Sequence, residues 1–244
     1  MKLHIFENAE ELGRHASGEA ARLIRAGIEE RGKARIVLST GASQFQFFEH
    51  FVQEDLDWSK VEMFHLDEYV GLSEEHPASF RKYLKDRFVG RLKTPLGKAH
   101  WVGEEPIHQL NEAVSKDEID VALIGIGENS HIAFNDPPAD FQTEEPYILV
   151  YLDEACKAQQ VREGWFGSLE EVPPQAITMS VKQILKSRHI LSVVPHQVKA
   201  RAVRLALQSE VTPNIPASIL KTHPNWQLYL DKASASELEL AQRK

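Results

Sequence analysis

Residues 120–138, Asp-Val-Ala-Leu-Ile-Gly-Ile-Gly-Glu-Asn-Ser-His-Ile-Ala-Phe-Asn-Asp-Pro-Pro, carry the most informative pattern in this chain. The apolar run 121–124 has the length and β-branched content of a buried strand. Gly125 and Gly127 end it, and Glu128, Asn129, Ser130, His131, Asn135 and Asp136 follow at once. In an open α/β sheet, ligands bind in the turn beyond a strand's carboxyl end. A histidine there, with a carboxylate five residues on, is a candidate acid/base pair. Taken alone, the segment reads equally well as a glycine turn with an incidental histidine.

Outward from this run, the chain repeats the same grammar. Strand-like runs fall at 3–6, 35–39, 61–66, 120–124, 147–152, 176–179, 189–194 and 227–230. Helical patterns separate several of them. In the first, Asn8 is an N-cap with Glu11 three residues on, and Gly32 closes a stripe formed by Leu12, Ala16, Ala20, Leu23, Ile24 and Ile28. A second helix is expected after Ser43, with Phe45, Phe48 and Phe51 on one side as core, and a third from near His196 through Ala206. This alternation predicts one α/β domain over 1–244, a Rossmann-like open, mostly parallel sheet with helices on both faces. The segment 153–174, mixed polar and aromatic, reads as an irregular insertion suited to a mobile flap.

Three further turns share the placement of the first. After 35–39 comes Thr40-Gly41-Ala42-Ser43, a small hydroxyl- and glycine-rich turn whose backbone N–H groups suit an anion; Ser43 also fits a plain N-cap. After 61–66 comes Asp67-Glu68-Tyr69-Val70-Gly71. A carboxylate directly behind an apolar run is partly desolvated, which raises its pKa and suits a general base near neutral pH. The bland alternative has one acid capping a turn and the other solvated. After 189–194 comes Pro195-His196-Gln197-Val198-Lys199, where Lys199 is either a solvated lysine or a partner for an anion. If the strands are all parallel, the four turns share one edge and converge. They then assemble a phosphate cradle (Ser43, Lys199), a carboxylate (Asp67) and a histidine with its acid (His131, Asp136), an arrangement for proton transfer on a phosphosugar.

Composition narrows the alternatives. The chain of 244 residues is 42% hydrophobic and 26% charged, with a formal net charge of −8. That balance argues against a nucleic-acid surface, which needs clustered Lys and Arg. No apolar stretch approaches the roughly 20 residues of a membrane span, and the opening Met-Lys-Leu-His-Ile-Phe-Glu-Asn does not read as a secretory signal. A single cysteine, Cys156, leaves no intrachain disulfide and points to a reducing cytoplasm. The 11 histidines are scattered, so no metal or other cofactor is expected.

Leu66-Asp67-Glu68-Tyr69-Val70-Gly71-Leu72 followed by His76-Pro77 resembles a signature of the glucosamine-6-phosphate deaminase (isomerase) family. So does Gly125-Ile126-Gly127 followed by His131-Ile132-Ala133-Phe134-Asn135-Asp136-Pro137. Thr40-Gly41, Lys199-Ala200, Pro216-Ala217-Ser218-Ile219-Leu220 and His223-Pro224 fit in the same order. The wider superfamily includes 6-phosphogluconolactonases, which share the fold. The resemblance implies opening of an amino-sugar ring, C2-to-C1 proton transfer through an enolamine, and loss of ammonia to give fructose 6-phosphate. It makes Asp67 the proton shuttle and His131 the ring-opening acid/base, oriented by Asp136. It places the phosphate on Ser43, Lys199 and Arg162, with backbone groups of Thr40, Gly41 and Ala42; Glu68 is counted with the substrate-binding set. The partner is a small-molecule amino-sugar phosphate, and a homo-oligomer is compatible with the family.

Three positions depart from the family pattern. Asn129 stands where an Asp is common, so it can hydrogen-bond the imidazole or a sugar hydroxyl but supplies no charge. Asp136 replaces the more usual Glu, and 153–174 fits only loosely around Arg162. The short stretch after Leu230 leads to the expectation of no allosteric control. Two other readings stay open: a lactone hydrolase in which His131 activates water without Asp67, and a phosphosugar-sensing module without turnover, favoured by Asn129 but lacking an N-terminal DNA-binding helix pair.

Overall fold

The computed structural model describes residues 1–238. Its first unit is β1 (Lys2–Phe6), α1 (Ala9–Arg31) and β2 (Ala34–Leu38). The α1 boundaries are local chemistry. Asn8 Oδ1 accepts from Glu11 N at 2.9 Å, Glu11 reaches back to Glu7 N, and Gly32 (φ 75°) returns its N–H to Ile28 O. The stripe Leu12, Ala16, Ala20, Leu23 and Ile24 is buried as its spacing requires. Gly13 lets α1 close on the next helix, α2 (Phe45–Phe51), because a Cβ there would lie 2.7 Å from the Gln46 carbonyl carbon. Phe47, Phe48 and Phe51 fill that contact; Phe45, expected in the core, is only half-buried, with the Arg87 guanidinium over its ring.

The chain continues through β3 (Val61–His65), β4 (Asp67–Tyr69), α3 (Phe80–Arg87), β5 (Lys98–His100), α4 (Ile107–Ser115) and β6 (Val121–Leu123). It closes with β7 (Tyr147–Tyr151), α5 (Glu154–Arg162), β8 (Gln175–Met179), α6 (Val181–Leu185), β9 (His189–Val194), α7 (Ala200–Gln208) and β10 (Trp226–Asp231). Seven strands form one parallel sheet in the order β1-β10-β9-β6-β2-β3-β5. Both faces are covered. Ile36, Leu38, Met63 and Leu123 pack with α1 and α2, while Val37, Phe64, Ala122 and Ile190 pack into the opposite core. Strand order reverses between β2 and β6, which opens a crevice beyond their carboxyl ends.

The expectation that every strand is parallel fails for one group. β4, β8 and β7 form a separate antiparallel sheet of three strands. Asp67-Glu68-Tyr69, read as a turn, is therefore a strand paired to Thr178, Ile177 and Ala176. Strand pairing is a long-range choice that hydrophobic period does not encode. The segment 153–174 is not irregular throughout. Asp153 caps α5 through Cys156 N at 2.6 Å, and Phe166 and Val172 bury with Tyr69 and Phe134. The third helix also starts later than expected, a 3₁₀ turn at Gln197–Lys199 preceding α7.

Candidate active site

A cleft of about 380 Å³ lies beyond the carboxyl ends of the parallel strands, at the β2/β6 reversal. Thr40, Gly41, Ala42, Ser43, Asp67, His131, Arg162 and Lys199 all line it. The four segments picked out from sequence therefore converge, although one of them, beginning at Asp67, is itself a strand of the smaller sheet.

The turn after β2 is fixed from two sides. Gly41 has φ 106°, a conformation open to glycine, and its carbonyl accepts from Tyr83 Oη at 2.9 Å. Buried Gln44 donates from Nε2 to Val193 O at 2.9 Å and to Ser43 Oγ at 3.0 Å. Ser43 does not cap α2, whose N-cap is Gln44; a 3₁₀ turn at Ala42–Gln44, opened by Gly41, precedes it and sets Ser43 on the cleft wall.

Asp67 and Glu68 part company because neighbouring strand residues face opposite ways. Asp67 looks into the cleft while only 5% exposed. Burial, and then the Glu68 charge, raise its pKa well above the ordinary carboxylate range. The structure does not bring Glu68 to the cleft, contrary to its sequence assignment. Its carboxylate is fully buried and accepts from Ser79 Oγ (2.8 Å), Arg81 N (2.9 Å) and Phe80 N (3.2 Å), anchoring the start of α3. A carboxylate at a helix N-terminus is favoured by the unpaired N–H groups there.

The loop after β6 holds His131 through its own backbone. Gly127 N donates to His131 O at 2.9 Å, and His131 N donates to Asn129 Oδ1 at 3.1 Å. Asn135 ties the loop to β8 through Met179 O at 2.9 Å. Asp136 lies behind the imidazole, its Oδ1 3.2 Å from His131 Nδ1, close but not aligned as a hydrogen bond. Asn129 Nδ2 donates to the same Oδ1 at 3.2 Å. Burial opposes the charged form of Asp136, but contacts with His131, Asn129 and Cys156 outweigh it and hold its pKa below the ordinary value. Neither Asn129 nor Asp136 lines the cleft. The Asn129 amide meets no imidazole nitrogen; it serves Asp136.

At the other end, Lys199 is 7% exposed, and burial lowers its pKa against the opposing pull of Glu163 and Glu128. Arg162, on the last turn of α5, pairs with Glu128. Glu128, Gln159, Gln160, Glu163, Trp165 and His196 line the cleft without having been singled out from sequence. Glu128 and His196 stood inside quoted turns, and Gln159, Gln160, Glu163 and Trp165 inside the 153–174 segment. Gln159 donates to Glu163, and its Oε1 accepts from Glu128 N, linking α5 to the histidine loop.

A family model described as glucosamine-6-phosphate isomerases/6-phosphogluconolactonase matches residues 7–228. The chain belongs to that family. A glucosamine-6-phosphate deaminase of Lactobacillus delbrueckii subsp. bulgaricus is 33% identical over 246 residues, covering 98% of this chain and 100% of that protein. The solved structure of a monomeric glucosamine-6-phosphate deaminase superposes with a TM-score of 0.86 at 30% identity, covering 97% of this chain and 99% of that one. The 6-phosphogluconolactonase of Trypanosoma brucei shares the fold at a TM-score of 0.78 and 14% identity, over 97% and 98% of the two chains. This chain thus shares its fold with both solved structures. Among the described residues, no helix is long and apolar enough to cross a membrane.

Proposed function

We propose that this chain isomerises and deaminates a 2-amino-sugar 6-phosphate, converting glucosamine 6-phosphate to fructose 6-phosphate and ammonia in the cytoplasm. The observation that carries the reading is the pairing, in one cleft, of a desolvated carboxylate with a histidine backed by a second carboxylate. A base for the C2–H, weakly acidic even beside the C1 carbonyl, gains from being more basic than an ordinary aspartate, and burial of Asp67 supplies that. In this mechanism His131, held by Asp136, moves the proton from O1 to O5 as the ring opens. Asp67 then takes the C2 proton and delivers it to C1 through an enolamine, and the imine takes up water and expels ammonia. Lys199, Arg162 and the Ser43 turn hold the phosphate, which supports kcat by fixing the reacting carbons against Asp67. Arg162 leaves Glu128 to do so.

The sequence likeness to glucosamine-6-phosphate deaminases across nearly the whole chain supports this activity over lactone hydrolysis. A lactonase would also have no use for Asp67 in its buried position. The test is incubation with a panel of amino-sugar 6-phosphates, assaying ammonia and ketose phosphate together. Equal release of both supports the reading; hydrolysis of 6-phosphogluconolactone with no ammonia from any amino sugar overturns it.

A further inference from the structure

Behind His131 the structure adds Cys156, which the proposed reaction does not use, to the His131–Asp136 pair that it does use. Cys156, in the first turn of α5, is fully buried against the loop that carries His131 and Asp136. One ligand atom from each of the three side chains lies within 4.8 Å of the other two. Two of the atoms are already spaced for a shared ion. The Nδ1–Oδ1 separation of 3.2 Å is close to the bite of about 3.3 Å that tetrahedral bonds of about 2.0 Å to each ligand require.

Asp136 Oδ1 keeps the Asn129 amide as a donor and has a second lone pair to offer an ion. His131 Nδ1 and Asp136 Oδ2 are buried with no hydrogen-bond partner, and the Asp136 side chain is only 8% exposed. Buried polar atoms in native proteins are nearly always paired, so two orphans side by side mark a place where a ligand fits. Imidazole, carboxylate and thiolate together suit a borderline ion such as zinc; magnesium and calcium prefer sets made of oxygen.

We propose that His131, Asp136 and Cys156 form a binding site for one divalent transition-metal ion of the zinc class, and that this ion inhibits the chain by removing His131 and Asp136 from proton transfer. The site itself stands on the geometry; the inhibition rests on the function proposed above. Binding forms metal–nitrogen, metal–oxygen and metal–sulfur bonds, and the thiol proton leaves to solvent. The sulfur lies within 4.8 Å of both partner atoms and shares the ion when these separations are about 3.5 Å. A fourth position is left for water. The ion is a ligand that competes with catalysis, not a cofactor of it.

The test uses Co²⁺ as a spectroscopic probe and Zn²⁺ as the inhibitor, on the full chain. One Co²⁺ per chain is expected, with a thiolate-to-cobalt charge-transfer band that Zn²⁺ displaces. Cys156→Ser and Cys156→Ala, each confirmed folded by circular dichroism, should lose the band and weaken zinc inhibition by about tenfold or more. Each variant is compared with its own metal-free rate. A Co²⁺ complex without thiolate character, or no Co²⁺ binding, overturns the site. Equal zinc inhibition of wild type and both variants overturns the link to inhibition. The cobalt spectrum reads the site even if the amino-sugar activity is refuted, so the two failures are distinct.

Discussion

Gly127→Ala is expected to disable the chain through one methyl group. A Cβ built at Gly127 would lie 2.5 Å from His131 Nδ1 and nearer still to Cε1 and Nε2. Comfortable carbon contacts begin near about 3.5 Å, so the imidazole must retreat by about 1 Å. The backbone at Gly127 lies outside the left-handed region, so alanine is conformationally acceptable and the effect is steric alone. A displacement of about 1 Å at a reacting group costs on the order of 10²-fold in rate, or about 2.7 kcal/mol of transition-state stabilisation. The assay is kcat/KM for ammonia release from the amino-sugar phosphate, with thermal melting as the check on folding. Gly125→Ala is the matched control, because its Cβ would meet Gln44 Nε2 at 3.7 Å and Ser39 Oγ at 4.0 Å, which is ordinary contact. If folded Gly127→Ala keeps kcat/KM within about threefold of wild type, the placement of His131 against Gly127 has no catalytic meaning and the reasoning fails.

Four other outcomes follow from the same geometry. Asp67→Asn should lower kcat by about 10²–10⁴-fold, the usual contribution of a general base. It should also change stability in a set direction: the raised folded pKa of Asp67 favours the native state below the ordinary aspartate range, and that contribution is lost as pH rises through the folded pKa. The variant should therefore gain in melting temperature over wild type as pH rises toward neutrality; a constant difference across pH would contradict the desolvation of Asp67. Lys199→Met should raise KM for the phosphorylated sugar by about 10- to 150-fold, from a charge-assisted contact of about 1.5–3 kcal/mol, and leave any activity on the unphosphorylated sugar little changed. Equal loss on both substrates would remove Lys199 from the phosphate site. Asn129→Asp should slow the reaction, more at pH 8 than at pH 6, because it replaces an amide donor to Asp136 with a like charge. A faster variant would show that Asn129 is not wired to Asp136. His196→Gly should stabilise the fold by about 1 kcal/mol, since His196 holds φ at 81°; urea melts that show a loss would refute stored strain there.

How much of this was legible from the chain depends on how far apart the interacting residues lie. The α1 caps, the run 121–124 and the four turns follow from neighbours within a few positions, where hydrophobic period and glycine placement act directly. From those, the parallel frame and the crevice at its reversal point follow by topology. That reasoning brought Asp67, His131, Lys199 and the 40–43 turn to one cleft; Arg162, which also lines it, was implied only by the family resemblance. It did not see the antiparallel β4-β8-β7 sheet, because a strand's own pattern is silent about its partner. Glu68 went astray for that reason: read as part of a turn, it could face a substrate, but in a strand it must point away from Asp67. The same holds at the histidine. Asn129 resembles a group that reads the imidazole or the sugar, and only the folded loop turns its amide to Asp136. The Glu128–Arg162 pair and the approach of Cys156 join residues 34 and 20 positions apart, between Glu128 and Arg162 and between Asp136 and Cys156. The sequence determined where the cleft forms, because backbone turns are local. The tertiary structure decided what stands behind each reacting group, because charge, burial and hydrogen bonding depend on segments that meet only when the chain is packed.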